Sequence, residues 1–132
     1  MLIINLTQHP ATADQVAVGV VDLPAEEFSN LRSVLTFATL PTGEEILERA
    51  ALIAELACYN GLSGDEGDSP MPQQAMIGGA MWIMAPLAAE LRQRGIEPVF
   101  AFSVRDTEEQ KQADGSIRKV AIFRHAGFVP SI

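Results

Sequence analysis

Sulfur and positive charge are both scarce in this chain. Its one cysteine, Cys58, excludes an internal disulfide and a thiolate-based metal centre. Nine Lys and Arg stand against 17 Asp and Glu, giving a formal net charge of −8 and a pI near 4.6. That balance argues against a broad surface for long nucleic acid or for an anionic membrane, since both need clustered Lys and Arg. It leaves room for a small anionic ligand in a local pocket. The opening residues have no basic segment of the signal-peptide kind. The apolar stretch over residues 75–89 is 15 residues long, too short to span a bilayer, and it contains Gly78, Gly79 and Pro86. A soluble, cytoplasmic protein is the expectation. No Ser-His-Asp spacing, HExxH or CxxC occurs, so neither a metal nor a cofactor is implied.

At 132 residues, 48% hydrophobic and 20% charged, the chain has the size and apolar content of one packed domain spanning 1–132. Residues 2–6, LIINL, read as a buried strand. Thr7-Gln8-His9-Pro10 breaks it, and Thr12-x-x-Gln15 is the spacing of a capping box that starts a helix. Gly19 suits the end of that helix. Residues 20–23 read as a second strand. Pro24, followed by Glu26 and Glu27, suits a helix start, with Phe28, Leu31, Val34 and Leu35 as its apolar face. Residues 36–40 fit either a third strand or a linker. Thr42 and Glu45 form a second capping box for a helix running to about Tyr59. Its stripe is Ile46, Ala50, Ile53, Ala54 and Ala57, widened by Leu52, Leu56 and Tyr59.

Residues 61–74, rich in Gly, Pro, Ser and acid, read as a solvated loop whose three acids lack the spacing of a calcium loop. Residues 75–77 form a buried strand, and a well-covered helix follows from Met81 to about Arg94. Met76, Met81, Trp82 and Met84 are expected in the core. Residues 96–104 are the strongest strand. Asp114-Gly115 is expected to make a two-residue hairpin turn, with residues 117–129 returning as the last strand. Strands alternating with helices imply a mostly parallel sheet with a C-terminal antiparallel hairpin. With helices on both faces, this would be a three-layer Rossmann-like α/β sandwich.

Chemistry is expected where strand ends meet loops. Thr7, Gln8 and His9 offer a hydroxyl, an amide and an imidazole at the end of the first strand. They read either as a ligand-binding loop, with His9 as donor or general acid, or as ordinary loop polarity. Gly78-Gly79 would let a ligand approach the amides of the next helix, or would simply make a tight turn. Ser103 and Arg105 end the following strand. A two-residue turn places Arg105 opposite Arg124, where the pair would act as a phosphate fork unless a bulge separates them. His125 reads as a hydrogen-bonded sheet histidine before a catalytic one, and Cys58 as a small core residue.

The opening NLTQHPATADQ, through Asn5, Thr7, His9, Thr12 and Gln15, resembles the start of small CRISPR-associated Rossmann-like proteins of the CARF and ring-nuclease kind. It is also similar to small uncharacterised bacterial and prophage proteins. The resemblance implies that a cyclic oligoadenylate is bound, and sometimes cleaved, in the crevice of a homodimer. The residues then suggest a ligand site made by Thr7, Gln8, His9, Thr12, Gly78, Gly79, Ser103, Arg105 and Arg124. The rival expectation is a protein-interaction module with no small ligand. A hydrolase using His9 is a third. The final strand carries Val120, Ile122 and Phe123 opposite a polar partner, and a second copy is expected to cover it.

Overall fold

A computed structural model describes residues 2–59 and 73–132. Five strands form one sheet in the order β2-β1-β3-β4-β5. They are β1 (Ile3–Leu6), β2 (Val20–Asp22), β3 (Gln74–Ile77), β4 (Glu97–Lys111) and β5 (Ile117–Pro130). The first four run parallel and β5 is antiparallel to β4. Among the described residues four helices lie between them: α1 (Ala13–Ala17), α2 (Ala25–Leu35), α3 (Gly43–Tyr59) and α4 (Met81–Gln93). The fold is therefore mixed α/β, mostly parallel, with a C-terminal antiparallel pair. Residues 36–40 are a linker, not a strand. The loop expected over 61–74 lies outside the described residues except for Gln73 and Gln74, and Gln74 opens β3.

Side chains alternate across each strand, so the two faces of the sheet sort by parity. Ile4, Leu6, Ala75 and Ile77 face α2, α3 and α4 and join the main core. Each large aliphatic side chain fully buried there contributes about 1.5–3 kcal/mol. The helix faces read from 3-4 spacing are found here: Leu31 and Leu35 of α2, and Ala50, Ile53, Ala54 and Ala57 of α3. Leu52, expected to widen the α3 stripe, is instead half exposed. On the other face Ile3, Val20, Met76 and Val99 form a smaller cluster, joined by Ala11 and Phe128.

The chain steps from β1 to β2 in one direction and from β2 to β3 and β4 in the other. Connections of one hand then fall on opposite faces, which leaves α1 alone on the second face. The sheet curls enough for α1 to touch both β2 and β5. Because α4 packs on the sheet by one side only, its first residues overhang. Met81 is 86% exposed and Trp82 51%, a correction to their expected place in the core. Trp82 meets Phe37 edge to face at 5.4 Å, and Arg49 lies over the other aromatic, 4.3 Å from the Phe37 ring centre. Arg49 also donates to the carbonyls of Val34 and Thr36, which fastens the linker onto α3.

The hairpin turn is one residue longer than expected. Gln112 N–H donates to Ser116 O at 2.7 Å and Gly115 N–H to Gln112 O at 3.0 Å, so the loop is Ala113-Asp114-Gly115. Gly115, with φ +87°, supplies the left-handed residue that three-residue loops need. Ser116 N–H and Oγ–H both donate to Asp114, which holds that carboxyl below the usual carboxylate range. The extra residue moves the register by one. Arg105 faces Phe123, and Arg124 faces Val104. Arg105 and Arg124 are thus on opposite faces of the ribbon, and the expected arginine fork does not form. Arg124 instead donates to Asp106 at 3.2 Å. The Thr107 amide first, and Arg124 second, hold the Asp106 carboxyl below its usual range. A bulge between Phe102 and Ser103 absorbs the offset before the ribbon joins the sheet.

Candidate functional site

The local sequence after β1 folds into a braced loop, and one side chain does the bracing. Asn5 is 0% exposed, and among the described residues it is the sole polar side chain so buried. Its Nδ2 donates to His9 O and to Asp22 Oδ1, both at 2.8 Å. Its Oδ1 accepts from Thr7 N at 2.9 Å and Thr7 Oγ1 at 2.7 Å. The amide orientation follows from those partners, two acceptors on the nitrogen and two donors on the oxygen. Asp22 is directly beside Asn5 in the β1–β2 register, and its Oδ1 also takes Ala11 N–H at 3.0 Å. Thr7 to Ala11 is therefore tied at both ends to the strand below it.

The Thr12 capping box forms as its spacing predicts. Gln15 N–H donates to Thr12 Oγ1 at 3.2 Å and Thr12 N–H to Gln15 Oε1 at 3.0 Å. Since α1 is five residues long and buries no side chain, this cap is its main local support. Thr12→Ala is expected to lower stability by about 1 kcal/mol in urea titration and to loosen Gln15.

Above the ends of β1 and β3, beside the first half of β4, lies a concavity of about 460 Å³. Thr7, Gln8, His9 and Pro10 form one wall, Ile77, Gly78 and Gly79 the floor, and Phe100 and Ala101 the far wall, with Gln15 at the rim. It sits where the strand order turns, since β2 and β3 flank β1 on opposite sides. Ligands of open α/β sheets bind at such a point. Gly79 has φ +135°, and a Cβ on Gly78 would stand 3.4 Å from Thr7 Cγ2, so the floor is kept close to the first loop by two residues without side chains. Ala80, the N-cap of α4, supplies no side-chain acceptor, and its carbonyl takes Ile83 N–H at 3.2 Å; the helix begins two residues past Gly79 but does not itself line the concavity.

Thr7, Gln8, His9, Gly78 and Gly79 are thus brought together. Thr12 sits one turn behind the rim as a cap. Ser103, Arg105 and Arg124 do not line the concavity, because β4 does not end at Val104 but continues to Lys111 and carries them up the ribbon. His125 packs against Phe128, ring centres 4.6 Å apart, and also lies off the concavity; among the described residues its ring nitrogens are buried without a hydrogen-bond partner, a correction to the hydrogen-bonded histidine expected there. Met76, Phe100 and Ala101 also line it, although sequence patterns did not mark them as site residues, and Gln15, marked as a capping residue, reaches the rim. A more open hollow of about 510 Å³ is lined by Ser29, Arg32, Ser33 and Thr36. It lies at the carbonyl end of α2, where the helix dipole disfavours anions.

A family model matches residues 1–129, from β1 through nearly all of β5. The chain belongs to the Uncharacterized protein MJ1673 family. No curated protein and no solved structure matches it. The family match takes in both halves of the concavity, the Thr7 loop and the Gly78-Gly79 floor. Among the described residues, no helix is long and apolar enough to cross a membrane, and no three His, Cys, Asp or Glu side chains gather as a metal set.

Proposed function

We propose that this MJ1673-family protein is a Rossmann-like binding protein for a small phosphorylated or nucleotide ligand, held in the concavity between the Thr7 loop and Gly78-Gly79. The observation that carries the reading is the concavity's place at the turn of strand order, with glycine backbone as its floor. Its volume is within the range of small-molecule sites. Among the described residues no carboxylate lines it, so an anion meets the glycine backbone and the His9 ring, the Thr7 hydroxyl proton being already given to Asn5 Oδ1. No Lys or Arg lines it either, so recognition rests on neutral donors and suits a nucleotide's base and ribose as much as its phosphate. The α1 layer on one face and α2–α4 on the other support a three-layer sandwich with unequal layers.

The test is a thermal-shift panel of mononucleotides, dinucleotides and cyclic oligoadenylates. A ligand present at 100 times its Kd stabilises the fold by about 2.7 kcal/mol. His9→Ala should weaken the response, and Gly78→Val, which fills the floor at Thr7, should abolish it while leaving the fold intact. A panel with no shift would overturn the reading. A second reading, a protein-interaction module without a small ligand, draws on the exposed Phe102 and Phe123 of the β4–β5 ribbon. Full stability of Gly78→Val together with an unresponsive native protein would favour it.

A further inference from the structure

We propose that the outer part of the β4–β5 ribbon is a self-association surface and that its occupant is a second copy of this chain. The proposal stands apart from the ligand reading. Past the Met76–Val99 pair, β4 leaves β3 and, among the described residues, forms its ladder with β5 alone. A lone two-stranded ribbon is marginal in water, and stability requires that one face be covered. The two faces differ. On one, Phe102, Val104, Ile122 and Val120 follow one another as a contiguous apolar stripe. Phe102 is 53% exposed and Val104 44%. On the other, Phe123 (73% exposed) adjoins the small Ala121, and Lys119 cuts the pair off from Ile117 (66%), so the apolar stripe is broken.

Charge identifies the occupant. The ribbon, residues 101–130, holds five of the chain's nine Lys and Arg and four of its 17 acids, so it is one positive charge in excess. The rest of the chain is nine negative charges in excess. Two copies therefore repel through most approaches except one that uses the ribbon. On the striped face the charges are Asp106 and Glu108 from β4 and Arg118 and Arg124 from β5, which sum to zero. A neutral patch with acids on one strand and bases on the other is complementary to itself, as a two-fold interface requires. Edge-to-edge pairing of two β5 strands is disfavoured, because Arg118, Lys119 and Arg124 are unopposed by any acid in β5. The contact is face to face.

Light scattering and sedimentation of the native chain at high micromolar concentration should show a dimer. Val104→Glu on the striped face should weaken association by roughly tenfold or more, whereas Phe123→Ser on the opposite face should leave it unchanged. A native monomer, a dimer that survives Val104→Glu, or dissociation by Phe123→Ser would each overturn the proposal. Should Val104→Glu not fold, hydrogen exchange of the native chain across a dilution series decides the matter. Ribbon amides must lose protection on dilution, and protection independent of concentration refutes the second copy.

Discussion

Asn5→Asp is expected to cost about 3 kcal/mol at neutral pH. The substitution replaces the Nδ2 donor by a carboxylate oxygen facing Asp22 Oδ1 and His9 O, each 2.8 Å from the native nitrogen. The buried new carboxylate then faces the carbonyl of His9 and the carboxylate of the exposed Asp22, with no proton between it and either of them. For a chain of this length the melting temperature should fall by roughly 10 °C. The sign with pH follows from linkage. The new carboxyl is harder to ionise in the folded state than in the unfolded one, so the unfolded state gives up its proton first and stability falls as pH rises through the carboxylate range. Acidification should therefore return part of the loss, because one proton restores a donor. Asn5→Leu removes the same hydrogen bonds without adding a charge, and its deficit should not shrink in that way. Urea titrations of the two variants at acidic and neutral pH separate the outcomes. Equal pH dependence of the two would show that the Asn5–Asp22 contact does not brace the loop.

Gly79→Val should cost about 2 kcal/mol and remove the ligand response altogether. At φ +135° a β-branched residue has no comfortable backbone state, and the peptide must turn away from the concavity to accept it. Gly79→Ala should cost about 1 kcal/mol by the same mechanism. A Cβ there meets only Leu35 Cδ2, at 3.6 Å, so crowding adds little and the penalty is one of backbone conformation. Gly115→Ala is the control: its φ of +87° carries a similar backbone penalty, but the added Cβ meets nothing within 4 Å, in a turn far along the ribbon. It should lower stability and leave ligand binding untouched. A Gly79→Val protein with native thermal-shift behaviour would place the site elsewhere.

What could be read in the sequence was local. Thr12 and Gln15 are three residues apart, and nothing distant competes for their capping bonds, so that box forms as its spacing says. The same holds for the apolar faces of α2 and α3. The alternation of strand and helix was enough for the mixed α/β sheet and for the meeting of the Thr7 and Gly78 loops. What failed depended on a count or a partner far away. Asp-Gly fits a two-residue turn and also the last positions of a three-residue turn, and a difference of one residue decided which face holds Arg124. Asn5 and Asp22 are 17 residues apart and meet only once β1 and β2 are in register. Met81 and Trp82 have core composition, but composition does not say which end of a helix overhangs its sheet.

The β4–β5 bulge has a mechanical side. From Ser103–His125 to Lys111–Ile117 the ribbon has nine rungs, which at about 3.3 Å each make a rod of about 30 Å. The one irregular rung, immediately above Phe100 and Ala101 in the wall of the concavity, is where such a rod would pivot. A rotation of about ten degrees at that pivot, too small to disturb the core, sweeps the Asp114 tip through about 5 Å. A pair of fluorophores at Asp114 and on α3 would therefore register a shift of the concavity wall as a change in length several times larger than the shift itself.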